Sequence, residues 1–156
     1  MRRGNIIVKI ILWLWQLPQH LLGLLLIQVT RARYSRTIEH NGVEVRVYRI
    51  GDVRWGIALG RYVILGSGYS EVTEFHELGH SKWSKRLGPI YLLVVGFLSA
   101  ICANLIGSRI LGRGYEWYYN QWVERVADRE GGVVWLNGRR VLAATPAVAA
   151  AEWEIA

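Results

Sequence analysis

Cysteine is almost missing from this chain. Cys102 stands alone, so no disulfide can close within the chain and no cysteine-built zinc cage can form. A metal bound here must take its ligands from histidine and carboxylate. Charged residues are also scarce, at 20% against 52% hydrophobic residues. That balance excludes a disordered chain and is high in apolar surface for a small soluble one. There is no internal repeat, and the only biased stretch is the Ala-rich tail AATPAVAAAEWEIA. At 156 residues the chain has room for one core, with a membrane segment beside it.

What the chain does have is apolar length. Residues 6 to 29, IIVKIILWLWQLPQHLLGLLLIQV, are long enough to cross a bilayer of ~30 Å as a helix. Pro18 would kink that helix, and Lys9, Gln16, Gln19, His20 and Gln28 put polar atoms where hydrocarbon penalises them. A kinked span or an interfacial helix pair therefore fits better than a plain anchor. A cleaved signal peptide is the weaker alternative, because the run is long and no small-x-small site follows it. The formal net charge is +7; Arg2 and Arg3 precede this run, Lys9 lies near its start, and Arg31, Arg33 and Arg36 follow it. Such placement suits anionic lipid better than a nucleic-acid groove.

From Val43 the pattern shortens. VEVRVYRI (43 to 50), VRWGIAL (53 to 59) and RYVIL (61 to 65) read as strands of a small antiparallel sheet. Ser70 offers an N-cap, with Glu71 and Glu74 in the first turn, and the helix it opens should run to about Arg86 before Gly88-Pro89 stops it. A second apolar run occupies 90 to 111. EWYYNQWVERVADRE (116 to 130) reads as a helix ended by Gly131-Gly132, and VVWLNGRRVL carries the Asn-Gly signal of a two-residue hairpin.

The first of these helices carries HELGH. Residues four apart lie on one helix face, so His76 and His80 can offer nitrogens to one ion, while Glu77 can hold a water without ligating. A shuffled chain of this composition would show H-E-x-x-H roughly once in 150, so a third ligand has to be found. Glu124 and Asp128 supply it: they sit one turn apart on a later helix, where Glu124 can ligate and Asp128 can accept the second N–H of a ligating histidine. Gly79, which costs a helix interior ~1 kcal/mol relative to Ala, suggests close approach of a neighbouring element. Glu74, Lys82, Lys85 and Arg86 are expected on the solvated or interfacial face, and His20 and His40 as lone polar residues.

His76, Glu77, His80, Glu124 and Asp128 together resemble the gluzincin arrangement of thermolysin-like zinc metallopeptidases. More loosely, HELGHSKWSKRLGPIYLLVVGFLS with YYNQWVERVADREGGV resembles small, largely uncharacterised bacterial and phage-type proteins that carry the same pattern behind an apolar N-terminus. The resemblance covers about two thirds of the chain and supplies no substrate. It implies an α+β, minimal zincin-like domain: a small antiparallel sheet, the HExxH helix and a third-ligand helix behind an N-terminal apolar helical segment. It implies Zn2+ held by His76, His80 and Glu124, with Glu77 as general base, Asp128 behind a ligand, and a peptide or protein as substrate. Larger gluzincins add a later histidine or tyrosine for the oxyanion. No histidine follows His80, which leaves Tyr118 and Tyr119 as the main candidates and Tyr115 and Arg129 beside them. The segment 53 to 65 would lie at the sheet edge, where Gly56 and Gly60 would admit a peptide backbone as an added strand, with ordinary sheet packing an equal alternative.

The expected organisation is a membrane-associated helical segment at 1–33, a metallopeptidase-like domain at 34–145 that includes 90–111, and a tail at 146–156. A simple crossing by 90–111 would leave His76 and Glu124 on opposite sides of a bilayer, so that run is expected as buried core or as a re-entrant hairpin. The hairpin, turning near Gly96 to Ser99 with Ser99 and Asn104 facing protein, is favoured. The charges around HELGH argue against a site inside lipid. Two other functions stay open: a non-catalytic membrane protein that keeps the metal scaffold, and a basic protein that binds lipid or nucleic acid without metal.

Overall fold

Where the sequence passes from long apolar runs to short alternating ones, the chain passes from helix to sheet. A computed structural model describes residues 6–143 apart from 41, 52 and 54, which leaves the tail at 146–156 outside the described residues. Helices α1 (Ile6–Trp15) and α2 (Leu17–Thr30) meet at a 70° elbow. Pro18 sits in the first turn of α2, where its missing N–H costs no hydrogen bond. The polar residues that mar the apolar run turn inward. Gln16, Gln19 and His20 are buried, while Ile6, Ile11, Leu21, Leu25 and Val29 are exposed. Gln16 donates to Ser84 Oγ at 3.1 Å and Gln19 donates to the Gly88 carbonyl. No single helix among the described residues is long and apolar enough to cross a membrane; the bent α1–α2 pair meets that requirement by length and composition only.

Four strands follow: β1 (Arg33–His40), β2 (Val43–Ile50), β3 (Gly56–Leu59) and β4 (Tyr62–Gly66), in the order β1-β2-β4-β3. The sheet is mixed rather than antiparallel, because β2 and β4 run parallel while the β1/β2 and β3/β4 pairs are antiparallel. The reason lies in β4, every residue of which is buried. An all-apolar strand belongs in the middle of a sheet, so the chain steps past the place beside β2, forms β3 at the edge, and turns back to fill the gap. β1 was not foreseen, since RYSRTIEH is exposed along most of its length and has no apolar alternation. β2 has it: Val43, Val45 and Val47 face the core, where they pack with Ala58, Val63, Leu65 and Leu78.

Leu78 comes from α3 (Glu71–Leu87), which begins as its sequence indicates, with the Ser70 side chain accepting from the Thr73 N–H. Glu74 departs from expectation. It is buried and bonds Arg36 and Arg49 of the first two strands, because α3 lies across the sheet and a buried carboxylate needs cationic partners. Lys82 and Arg86 bridge to Glu130, and Lys85 donates to the Gly42 carbonyl.

The run expected to fold back as a hairpin is one π-helix, Leu92–Ile110. Nothing in it compels a turn: Gly96 has no positive φ, and a Cβ there would meet its nearest neighbour at 3.9 Å. Leu93, Phe97 and Ile110 are exposed and Val95 is buried. Ser99 faces protein, within 3.1 Å of the Tyr118 hydroxyl; the Asn104 side chain lies outside the described residues. The single helix expected over 116 to 130 is two short ones, α4 (Tyr115–Tyr119) and α5 (Trp122–Gly131), broken at Asn120 and Gln121, where Gln121 takes an extended backbone. Gly132, in the left-handed region, ends α5, and the hairpin β5 (Val133–Leu136) and β6 (Arg139–Leu142) follows. Asn137 and Gly138 have φ of 50° and 73°, the paired positive values of a type I′ turn.

Candidate metal centre

Helices α3 and α5 can lie unusually close because Gly79 has no side chain. A Cβ there would fall 2.0 Å from the Ala127 carbonyl oxygen of α5. One turn before Ala127 on α5, Glu124 reaches across to the histidine face of α3. His76 Nε2 stands 3.0 Å and His80 Nε2 3.6 Å from Glu124 Oε2. One ligand atom from each of the three residues lies within 4.8 Å of the others, and all three residues are buried.

The detail of that contact matters more than its closeness. Glu124 is 0% exposed, yet neither of its oxygens accepts a hydrogen bond among the described residues. An ionised carboxylate buried without donors is costly. His76 Nε2 comes within hydrogen-bonding distance of Oε2 without the alignment of a hydrogen bond, and the convergence of two imidazole nitrogens on one carboxylate is an arrangement a cation would complete. Burial works against the charge of Glu124, but the two imidazoles hold its pKa well below the usual carboxylate range.

Asp128 stands where the sequence places it, with Oδ1 2.7 Å from His76 Nδ1. That bond makes Nδ1 the donor, so Nε2 is the nitrogen that faces Glu124 and that an ion would take once its proton is lost. Burial opposes a charge on His76, but Asp128, Glu124 and Glu77 together raise its pKa to about 9. A histidine with a raised folded pKa contributes stability that is complete below its unfolded value, near 6.5, and is lost as pH rises through about 9. The metal-free protein should therefore show a falling urea midpoint between pH 6.5 and 9. A midpoint that rises or holds constant across that interval would contradict the His76–Asp128 pairing.

Glu77 is buried beside the pair and lines a cleft of 690 Å³. Burial raises its pKa, against the pull of His80 and His76. β3, the edge strand, lines the cleft together with Tyr91, Tyr118 and Tyr119; of the segment 53 to 65 expected at the sheet edge, β3 lies there and β4 lies inside, between β2 and β3. Both glycines of that region serve the chain itself: a Cβ on Gly56 would meet Glu77 Oε1 at 2.8 Å and one on Gly60 the His20 ring at 2.5 Å.

The tyrosine candidates separate clearly. Burial and the Glu124 charge raise the Tyr118 pKa far above its usual value, so its hydroxyl remains a proton donor in the cleft. Tyr119 lays its ring against His76 at 5.4 Å between centroids. Arg129 is exposed on α5, and the Tyr115 side chain lies outside the described residues. His20 and His40 are elsewhere. His20 stacks on Trp13, and His40 meets Phe75 and the Glu130 carbonyl.

No protein family, curated protein or solved structure matches the chain. The centre is therefore read from its own chemistry: two imidazoles, a buried carboxylate without donors, and a second carboxylate beside them in a cleft. Two participants escaped the sequence. Tyr91 hydrogen-bonds the Ala58 carbonyl at 3.2 Å and lines the cleft, and its place at the start of an apolar run gave no hint of this. Arg140 bonds Asp128; its signal was the Asn-Gly turn, which fixes the residues of β6 that face inward.

Proposed function

We propose that the protein is a membrane-associated zinc metallopeptidase of minimal gluzincin type, with a zincin-like core of sheet, HExxH helix and third-ligand helix. The observation that carries this reading is Glu124, a fully buried carboxylate with no hydrogen bond, 3.0 Å and 3.6 Å from two imidazole nitrogens. An N, N, O donor set without thiolate suits zinc, and three protein ligands leave a position open for chemistry.

His76, His80 and Glu124 would hold the ion. Bound zinc supplies a Lewis acid that polarises a peptide carbonyl and makes water nucleophilic near neutral pH. Glu77, in the cleft and outside the ligand set, takes the proton from the attacking water on its carboxylate and passes it to the leaving amine. Its burial raises its proton affinity toward the range that work requires. Tyr118, still protonated, is the donor we assign to the developing oxyanion, with Tyr119 the alternative. Asp128 would hold the His76 proton on Nδ1, so that Nε2 is the nitrogen left to ligate.

Membrane association is supported by the inverted polarity of α1 and α2, which bury Gln16, Gln19 and His20 and expose isoleucine and leucine. An outward apolar surface of that kind marks a partner, and the flanking arginines suit anionic lipid.

Elemental analysis of full-length protein tests the centre. One zinc per chain is expected, and Glu124→Ala should weaken its binding by more than about 100-fold in chelator competition. A well-folded wild type that takes up no zinc, or a variant that binds it unchanged, would refute the ligand set.

A further inference from the structure

Behind His76 lies Asp128, and behind Asp128 lies a residue without a role so far. Arg140 is buried, and its guanidinium grips both oxygens of Asp128: Nε donates to Oδ2 at 3.1 Å, and a terminal nitrogen donates to Oδ1. The same guanidinium lies 3.6 Å from the centroid of the Tyr119 ring, and that ring packs on His76. Arg140 thus touches both groups that bracket the His76 imidazole, one through its hydrogen-bonding edge and one through its face.

A bare Asp–His pair would fix less. A carboxylate that accepts only from an imidazole can rotate about its own axis, and the ring can follow. Two bonds from a planar fork set the plane of the Asp128 carboxylate, and with it the direction along which Nδ1–H must point. Arg140 also offsets the charge of a buried acid that would otherwise face Glu124 across the imidazole.

The residue is selected by register. In the β5–β6 hairpin Trp135 pairs with Arg140 and Leu136 with Arg139 about the Asn137-Gly138 turn. Arg139 is exposed and Arg140 buried. Side chains alternate along a strand, so a slip of one residue would turn Arg140 outward and bring Arg139 in. A two-residue turn that allows one register thus carries a specific arginine to the metal centre.

We infer that Arg140 is a positioning residue of this centre: by holding Asp128 and Tyr119 it fixes the orientation in which His76 offers Nε2 to a metal ion. The inference rests on the ligand set proposed above, so zinc uptake by the wild type is measured first; a wild type that binds none removes that ligand set and this role with it.

With uptake established, the full-length Arg140→Gln and Arg140→Lys variants are compared with wild type in chelator competition, and their cobalt-loaded forms by visible absorption. Groups that orient a metal ligand typically contribute about 10–100-fold to affinity. Arg140→Gln should lose zinc affinity within that range. Arg140→Lys, which restores charge without the fork, should recover part of it, and the cobalt bands of both should shift. A merely structural arginine would lower the melting temperature of the metal-free protein and leave affinity and cobalt spectrum unchanged in whichever variant folds. That result overturns the inference while the ligand set stands. If neither variant folds, the wild type decides by NMR. Slow solvent exchange at Arg140 Nε–H and His76 Nδ1–H in the zinc-loaded protein supports the clamp, and rapid exchange at both removes it.

Discussion

Glu77→Gln should lower peptide cleavage by about 10²–10⁴-fold and leave zinc affinity at its wild-type value, because the substitution removes a proton acceptor and almost nothing else. The amide has the size of the carboxylate, which matters in a packed site: Glu77 is buried, and Gly56 of the edge strand is what leaves room for Oε1. Glu77 lies outside the three-residue ligand cluster, so coordination should persist. Since burial raises its pKa, the acidic limb of the wild-type rate profile should fall above the ordinary carboxylate range. Zinc content by elemental analysis and turnover of a peptide library are the two readings. Cleavage that survives the change would show that another group handles the proton. Zinc lost with activity would make Glu77 part of the ligand set. A folded, zinc-loaded wild type that cleaves no peptide would favour the non-catalytic scaffold.

Gly79→Ala should damage the same site without touching a ligand. In an isolated helix that change is favourable by ~1 kcal/mol, since alanine is the better helix former. Here the added methyl would stand 2.0 Å from the Ala127 carbonyl oxygen, and the obstacle is backbone, which cannot swing aside as a side-chain tip can. Helix α5 would have to move away from α3, and Gly131, whose own Cβ would meet the Phe75 carbonyl at 2.1 Å, marks the same seam one turn later. Overpacking of this kind costs typically 1–3 kcal/mol, and more where backbone is the obstacle. Glu124 travels with α5, and a shift of about 1 Å is several times the ~0.2 Å tolerance of a zinc–ligand distance. The expected outcome is a lower denaturation midpoint together with weaker zinc binding. A stabilised protein with unchanged affinity would mean that α3 and α5 are not packed this closely.

Helix α3 was readable because its signals are local, and so was the glycine stop of α5; the break that separates α4 from α5 was not. Ser70, the paired acids of the first turn and Gly88 delimit α3, and a spacing of four puts His76 and His80 on one face. The Asn-Gly turn was equally plain. Harder to read was whatever depended on a distant partner. The polar atoms in the first apolar run looked like defects in a membrane span, yet Gln16 and Gln19 are the residues that dock it, through Ser84 and the Gly88 carbonyl. Glu74 looked like a surface acid until the arginines of β1 and β2 closed on it. The unbroken apolarity of β4 marks it as an interior strand, but not that β2 lies beside it or runs parallel to it, since alternation and apolarity report which faces are buried and not which neighbour lies alongside.

By itself the sequence determined the chemistry available to this protein: without cysteine pairs, a metal must be bound by histidine and carboxylate, and helical periodicity puts His76 with His80 on one helix face and Glu124 with Asp128 on another. Only the tertiary structure decided that these faces meet, that Arg140 rather than Arg139 closes behind Asp128, and that 90–111 stays in one helix. Periodicity is set by each residue's own backbone, whereas a close approach such as Gly79 against Ala127 is set by two segments of chain that acquire a common position only on folding.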